Sequence, residues 1–445
     1  MAAVKTKTKA KMKTKVRAQK TPKFSILLPT KDRLELLQSA VATVLMQSYK
    51  DWEIIVSDNA SKDDIRGYVE GLDDVRVKYI RCDEPVNVTE NWNRAYEASS
   101  GQYVTMLGDD DGLVPDYFTR IEAYMKQLEQ PDFIYHSAYH FAFPNVLKGM
   151  PEGAVQDITP SQRLFDQKRT PYILEEKEAH IMAEAALDMR LLYSFNMQYF
   201  VFKRSFLEGL KTYGAVFQGP YPDFYAANLA LLEAGKVGVV PFPMTVIGVS
   251  PKSYGFYHFN DDEDAAVSFL DNNDYVLAAS EDLQGAFLPG SQMNTQWLIS
   301  VEQVAEHLKG RGLKLGVKRY RILQILNMVV KGFVSKTKVQ EVVVGLWPEL
   351  SLMERVVLIL ALIGGLPLFV LRGSLRVTYT QLMLSVAGQY GTFWGLLSRR
   401  FVSLFMRLVG LGRYDRPWDA VKVCVGSTSV VDVFSFLVER AGNKK

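Results

Sequence analysis

The sequence predicts an α/β fold: a Rossmann-like, mostly parallel sheet over residues 24–262, followed by a mainly helical region over 290–445. Three observations predict it. Short apolar runs alternate with segments of helical periodicity from Phe24 to Tyr135, the pattern of βαβ units. The first, second and fourth of those runs end in clusters of polar residues. Beyond about residue 262 the alternation stops and helical patterns dominate. A chain of 445 residues exceeds one ordinary core, so a main domain and a smaller second unit are expected, meeting near Pro289-Gly290-Ser291.

Each element follows from local pattern. Phe24 to Leu28 (FSILL) predicts a strand stopped by Pro29, and Leu34, Leu37, Val41, Val44 and Leu45 recur at helical spacing. Strands are expected at Glu53 to Ser57, Arg76 to Ile80 and Tyr103 to Leu107, with helices near 63–70, 90–99 and 115–129. Asp132 to His136 begins a further strand. Residues 137–190 are mixed and carry helical stretches, whereas Tyr193 to Phe202 is strand-like. Phe224 to Ala234 predicts a helix closed by Gly235, and Lys236 to Val249 is β-rich, with Pro241 and Pro243 marking an edge or turn.

Composition narrows the function classes. Cys82 and Cys424 are the two cysteines, without a C-x-x-C spacing. A disulfide framework or zinc cluster is not expected, and a reducing compartment is. Nine of the basic residues fall in residues 1–23, which contain no acid and no apolar signal-peptide core. The remaining 43 basic residues face 49 acidic ones, so the body is mildly acidic and no nucleic-acid partner is expected. The tail reads as a solubilising arm or as a contact for an anionic membrane surface.

Chemistry is expected at the strand ends, because an open parallel sheet binds ligands beyond the carboxyl ends of its strands. The first strand ends in Pro29-Thr30-Lys31-Asp32-Arg33, the second in Ser57-Asp58-Asn59-Ala60-Ser61, and the fourth in Gly108-Asp109-Asp110-Asp111-Gly112. Three consecutive carboxylates repel one another unless a cation sits among them. Hard oxygen ligands of this kind suit Mg²⁺ or Mn²⁺, and such ions suit a diphosphate.

The pieces FSILLPTKDR, DWEIIVSDNASKDD, NVTENWNRAYEASSGQYVTMLGDDDGLVPDYF and YPDFYAANLALLEAG resemble, in order and spacing, the family 2 glycosyltransferases of the GT-A fold. The likeness runs over about 24–135 and more loosely to about 250. It implies an inverting, nucleotide-sugar-dependent enzyme of hexosyltransferase type with Mg²⁺ or Mn²⁺ as cofactor. Its acceptor would be a glycan or a lipid-linked glycan, and its setting cell-surface polysaccharide or glycolipid synthesis. By that resemblance Thr30 and Asp58 line the base and ribose pocket, Asn93 lies near the donor, and Asp109 and Asp110 contact it. Asp109 and Asp111 form a D-x-D metal pair, with His258 as a further ligand of the kind some GT-A enzymes use. Asp223 is the base for the acceptor hydroxyl, although a helix N-cap has the same local pattern. One departure stands out: a common family form is L-D-x-D-D, and here Gly108 replaces the first Asp.

Two rivals share parts of this pattern. A nucleotidyltransferase acting on sugar phosphates usually carries a Gly-rich loop after the first strand, and residues 29–33 contain no glycine. A non-catalytic carbohydrate-binding protein with a transferase-like fold would not need the acidic triplet or Asp223. In the C-terminal part, Val356 to Leu371 is apolar for 16 residues. As a helix it would reach about 24 Å, short of the roughly 30 Å hydrocarbon core. Residues 372–416 carry seven arginines and one acid, interleaved with Phe393, Trp394, Phe401 and Phe405. This composition suits a peripheral, cytoplasmic-face membrane contact or a helix packed on the protein.

Overall fold

The computed structural model describes residues 21–146, 153–156, 162–165, 170–254, 256, 279–335, 339–369 and 429–442. The first half alternates as expected. It runs β1 (Phe24–Thr30), α1 (Leu34–Leu45), β2 (Trp52–Asp58), α2 (Ile65–Gly71), β3 (Val77–Arg81), α3 (Val88–Ala98) and β4 (Tyr103–Met106). The chain continues through β5 (Gly112–Leu113), α4 (Tyr117–Gln127) and β6 (Phe133–Ala142). Then come β7 (Ala154–Gln156), α5 (Gln162–Phe165), β8 (Tyr172–Leu174), α6 (Glu176–Leu187), β9 (Phe200–Lys203), α7 (Arg204–Leu210), α8 (Pro222–Glu233) and β10 (Val237–Val249).

These strands form one sheet in the order β3-β2-β1-β4-β9-β6-β10-β5, with β7 on β6 and β8 on β10. The longest ladders, β1 on β2 and β6 on β10, are parallel, and so are β2 on β3 and β1 on β4. β9 runs antiparallel between β4 and β6 and joins the two parallel groups. Pro29 lies inside β1 and does not stop it. Pairing with β4 ends at Leu27, so the missing N–H of Pro29 falls where that side of β1 has no partner. Pro241 and Pro243 likewise lie within a single 13-residue strand, and register shifts against β6 between Val240 and Thr245 absorb them. In the stretch from Tyr193 to Phe202 only the last three residues are strand, because a 3-10 turn takes Met197–Tyr199.

Alternation along β1 divides the core in two, as the period of a strand requires. Phe24, Ile26 and Leu28 pack with Leu37 and Val41 of α1 and with Phe118 and Ile121 of α4. Leu27 faces the other side, with Ile55, Tyr96 and a large aromatic cluster that includes Phe133 and Phe200. That second layer continues into helices α9 (Glu281–Gln284), α10 (Gln292–His307), α11 (Val317–Ser335), α12 (Val339–Leu346) and α13 (Leu352–Gly365). Trp297 of α10 is buried against Phe195 and Phe224, and its indole N–H donates to the Ala186 carbonyl at 3.0 Å. Helix α14 (Val430–Gly442) returns to the sheet domain, where Val430 and Val433 pack with Phe141, Phe143 and Val246.

Candidate active site

Three strand ends meet at one rim. Thr30 closes β1 and donates its hydroxyl to Asp109 Oδ2 at 2.8 Å, and Arg33 pairs with Asp109 Oδ1 at 2.9 Å. The loop after β1 is tied to the loop after β2: the Asp32 N–H donates to Ser61 Oγ at 2.9 Å, and the Lys62 N–H to Asp32 Oδ1 at 2.6 Å. Asp32 and Ala60 both hold left-handed backbone, with φ of 54° and 55°. For alanine this is a strained conformation, and such strain concentrates where a loop must approach a ligand.

Asp58 is fully buried at the end of β2. It accepts from the Ser61 N–H at 2.9 Å, the Tyr79 hydroxyl at 2.7 Å and Arg81 at 2.6 Å. Burial alone would raise its pKa. The bonds from Ser61, Tyr79 and Arg81 outweigh that and hold the carboxyl below its ordinary range. Beside it lies a concavity of about 370 Å³, lined by Ser61, Lys62, Asp63, Arg66, Tyr79 and Arg81. Arg66 stacks over the Tyr79 ring at 5.2 Å.

The acidic triplet is buried, and its side chains diverge. Asp109 faces Thr30 and Arg33. Asp110 accepts from the Ser250 hydroxyl at 2.8 Å. Asp111 folds back on its own loop, accepting the Gly108 N–H and the Gly248 N–H at 2.8 Å each. This arrangement accounts for Gly108: a Cβ there would lie 3.1 Å from Asp111 Cγ and closer still to its oxygen. The family's usual Asp at that place is incompatible with the fold-back. Burial, and then the charge of Asp110, push Asp111 up to about 8. Asp110 is raised by burial and by Asp109, against the opposing pull of Arg33.

Among the described residues no three His, Cys, Asp or Glu side chains converge into a metal-holding group. Buried carboxylates of this kind could still help hold a hard divalent cation, because such ions are commonly held by one or two carboxylates with the rest from substrate phosphates and water. Asp109 and Asp110 repel one another, with Arg33 as the neighbouring cation; Asp109 is bonded at both oxygens, by Thr30 and Arg33, and Asp110 at Oδ2 by Ser250. Both Asp111 oxygens are already engaged by backbone N–H groups. His258 lies outside the described residues.

Asp223 stands in the first turn of α8 with Pro222 before it. Tyr221 occupies the N-cap position and Asp223 lies inside the first turn, so Asp223 is not the N-cap residue. Its Oδ1 accepts the neighbouring Phe224 N–H at 3.0 Å, and the residue's own backbone N–H also bonds the carboxylate. The side chain is half-buried at the surface of the site, and the protein packed around the carboxyl raises its pKa to about 7. The turn is held from two sides. Thr89 Oγ1 donates to the Gly219 carbonyl at 2.7 Å, and the Asn93 amide bonds both the carbonyl and the N–H of Phe217, at 2.8 and 3.1 Å. Asn93 thus orients the approach to Asp223 with its own amide fully engaged. On the other side the Tyr221 hydroxyl meets that of Tyr254, four residues past Ser250, which links this turn to the triplet's rim.

Several residues at the site escaped the sequence argument. Tyr79 lies in the middle of β3 and Arg81 closes it, and applying the strand-end rule to that strand too would have singled out Arg81. Arg33 lies in a cluster that was recognised, but its pairing with Asp109 joins residues 76 positions apart. Gly248 and Ser250 sit at the end of β10, where the sequence shows only an apolar strand.

Residues 25–179 match the profile of Glycosyl transferase family 2. This segment belongs to that family. The family 2 segment is 41% identical over 96 residues to a Campylobacter jejuni protein named GalNAc(5)-diNAcBac-PP-undecaprenol beta-1,3-glucosyltransferase, a match covering 21% of this chain and 31% of that protein. It is 29% identical over 87 residues to Escherichia coli WfgD, named UDP-Glc:alpha-D-GlcNAc-diphosphoundecaprenol beta-1,3-glucosyltransferase, covering 20% of this chain and 34% of that protein. The chain spans less than half the length of the curated relatives it matches. Among solved structures, Staphylococcus aureus TarS 1–349 with UDP-GlcNAc superposes with a TM-score of 0.37 at 12% identity, over 81% of this chain and 92% of that one.

Proposed function

We propose that the protein transfers a sugar from a nucleotide-sugar donor to a hydroxyl of a lipid-linked or glycan acceptor, with inversion at the anomeric carbon. The observation that carries this is Asp223, a half-buried carboxyl raised to about 7 by burial and bonded only to backbone N–H groups of its own turn, on a turn tied to the rim of the acidic triplet. A base of that pKa is matched to taking a hydroxyl proton near neutral pH. Names of two relatives, which specify undecaprenyl-diphosphate-linked acceptors, support the acceptor class.

The residues divide the work. Thr30, Asp58 and the concavity beside Tyr79 and Arg81 receive the base and ribose. Asp109 and Asp110 would hold the Mg²⁺ or Mn²⁺ ion, which when bound neutralises charge on the departing diphosphate. Arg33 supplies a fixed cation at the same place. Asp111 fixes the loop that presents them. Asp223 draws the proton from the acceptor hydroxyl as its oxygen attacks the face opposite the leaving group, so one displacement inverts the centre. Asn93 positions that base through Phe217. The lipid-linked acceptors named for those relatives support work at a membrane, and we place the protein peripherally on its cytoplasmic face. No helix among the described residues is long and apolar enough to cross one.

The test is release of nucleoside diphosphate from a panel of nucleotide sugars, with and without Mn²⁺, followed by determination of the product's anomeric configuration. Retention of configuration, or metal-independent turnover, overturns the scheme.

A further inference from the structure

Helix α13 is amphipathic in the reverse sense for a soluble protein. Leu358, Ala361 and Gly365 are buried on its inner side, and its one acid, Glu354, also turns toward the protein, where it pairs with Arg321 at 2.6 Å. The opposite side carries Leu352, Met353, Val356, Ile359, Leu360 and Ile363, which fall within one stripe at 100° per residue. Leu352, Met353, Leu360 and Ile363 are 78, 74, 62 and 60% exposed. A soluble monomer rarely leaves so large a continuous apolar patch in water, and patches beyond a few hundred Å² mark interaction surfaces.

Its surroundings identify the partner. Trp347, at the start of this face, is 39% exposed, and the Arg355 guanidinium lies 5.0 Å over its ring. This pairing of an amphipathic aromatic with a cation suits the level of lipid headgroups. The chain leaves the face at Phe369 and enters residues 372–416, with seven arginines against one acid. That charge complements an anionic surface. At 14 residues α13 is too short to span a bilayer but sufficient to lie in its interface.

We infer that the outer face of α13, from Leu352 to Ile363, inserts into the surface of an anionic lipid bilayer. This rests on the proposed lipid-linked acceptor only for its purpose. The contact itself is argued from the exposed face, and it would place the transferase where such an acceptor lies.

The test uses the full chain and vesicles of phosphatidylcholine with phosphatidylglycerol, read by co-sedimentation at low and high salt. Leu360→Glu with Ile363→Glu puts two charges on the stripe without touching the buried side. Vesicle affinity should fall by about tenfold or more, while the thermal midpoint and nucleoside diphosphate release stay at the parent's values. Undiminished vesicle binding overturns the assignment and leaves attachment to other segments, such as residues 1–23. A large fall in thermal midpoint also overturns it, because the face is then covered by the protein's own chain. Loss of donor turnover in the parent protein would instead strike the proposed reaction and leave the vesicle result standing.

Discussion

Gly248→Ala is the sharpest test of how the acidic loop is held. A Cβ at position 248 would lie 2.8 Å from the carbonyl carbon of Asp110 and closer to its oxygen. Ordinary carbon contacts begin near 3.5 Å, so β10 and the triplet must part by roughly an ångström. Neither side can yield through a flexible side chain, because both are backbone. The separation strains two bonds: the Gly248 N–H to Asp111 Oδ1 and the Ser250 hydroxyl to Asp110 Oδ2. Overpacking costs about 1–3 kcal/mol and a compromised buried hydrogen bond about as much again. The expected loss is therefore about 2–6 kcal/mol, which for a chain of this size, at about 1–2 °C per kcal/mol, is a fall in thermal midpoint of roughly 2–12 °C. An ångström of misplacement at a reacting centre costs about 10²-fold in rate, so diphosphate release should fall by that order in the folded fraction. Gly209→Ala in α7 is the control: nothing lies within 4 Å of its added Cβ. It should be neutral or stabilise by about 0.5–1 kcal/mol. A Gly248→Ala protein with the parent's melting point and turnover would refute the argument that backbone contact fixes the triplet.

Other outcomes follow from the same geometry. Asp223→Asn should lower kcat by about 10²–10⁴ with donor KM little changed, and the parent's rate should rise with pH through about 7, a limb absent from the variant. Because the folded pKa of Asp223 lies above its ordinary value, its stabilising effect is full below about pH 4 and is lost as pH rises through about 7. Denaturation of Asp223→Asn should show a weaker decline across that window. Glu354 has the opposite sign. Arg321 holds it down at about 2, so its contribution is present above about pH 4.5 and lost as pH falls through about 2. Glu354→Gln should cost about 1–3 kcal/mol at neutral pH and nothing measurable in strong acid. Arg81→Gln removes a charged partner of Asp58 and should raise donor KM by roughly tenfold while kcat holds. A kcat loss without a KM change would reassign that residue.

The sequence made the parallel half of the sheet legible because each strand there is a short apolar run with a polar end, and β1 to β4 follow that rule almost residue for residue. It was less legible where strand length depends on partners. Pro29, Pro241 and Pro243 look like breakers in isolation, yet each sits where the ladder does not ask for its N–H or where a bulge absorbs it. β9 could not be read as four residues because the preceding Tyr193, Phe195 and Tyr199 are equally strand-like and are buried by an aromatic cluster and a 3-10 turn. The inverted polarity of α13 was also hidden. Its apolar run fits a buried helix equally well, and only the position of Glu354 against Arg321 shows which side faces the protein.

The same limit applies to the site. Residue types located Thr30, Asp58, the triplet and Asp223, since carboxylates at strand ends are conspicuous, but types cannot say which oxygen is free. A run of three acids suggests three equivalent candidates for a cation. The fold makes them unequal: Asp111 spends both oxygens on backbone N–H groups, Asp110 leans on Ser250, and Asp109 is shared between Thr30 and Arg33. The glycine at 108, a departure from the family's usual acid, follows from the fold-back of Asp111. Asp111 is therefore better understood as the residue that shapes the loop than as one half of a D-x-D pair. A discriminating pair of variants is Asp111→Asn and Asp110→Asn. An amide at 111 keeps one acceptor but sets an N–H against a backbone N–H, so it should cost about 1–3 kcal/mol of stability. At 110 the amide oxygen can still accept from Ser250, so the fold should hold while the concentration of Mn²⁺ needed for half-maximal rate rises. If Asp111→Asn shifts the Mn²⁺ requirement with no loss of stability, and Asp110→Asn does neither, the metal belongs to Asp111 and the division of labour argued here is wrong.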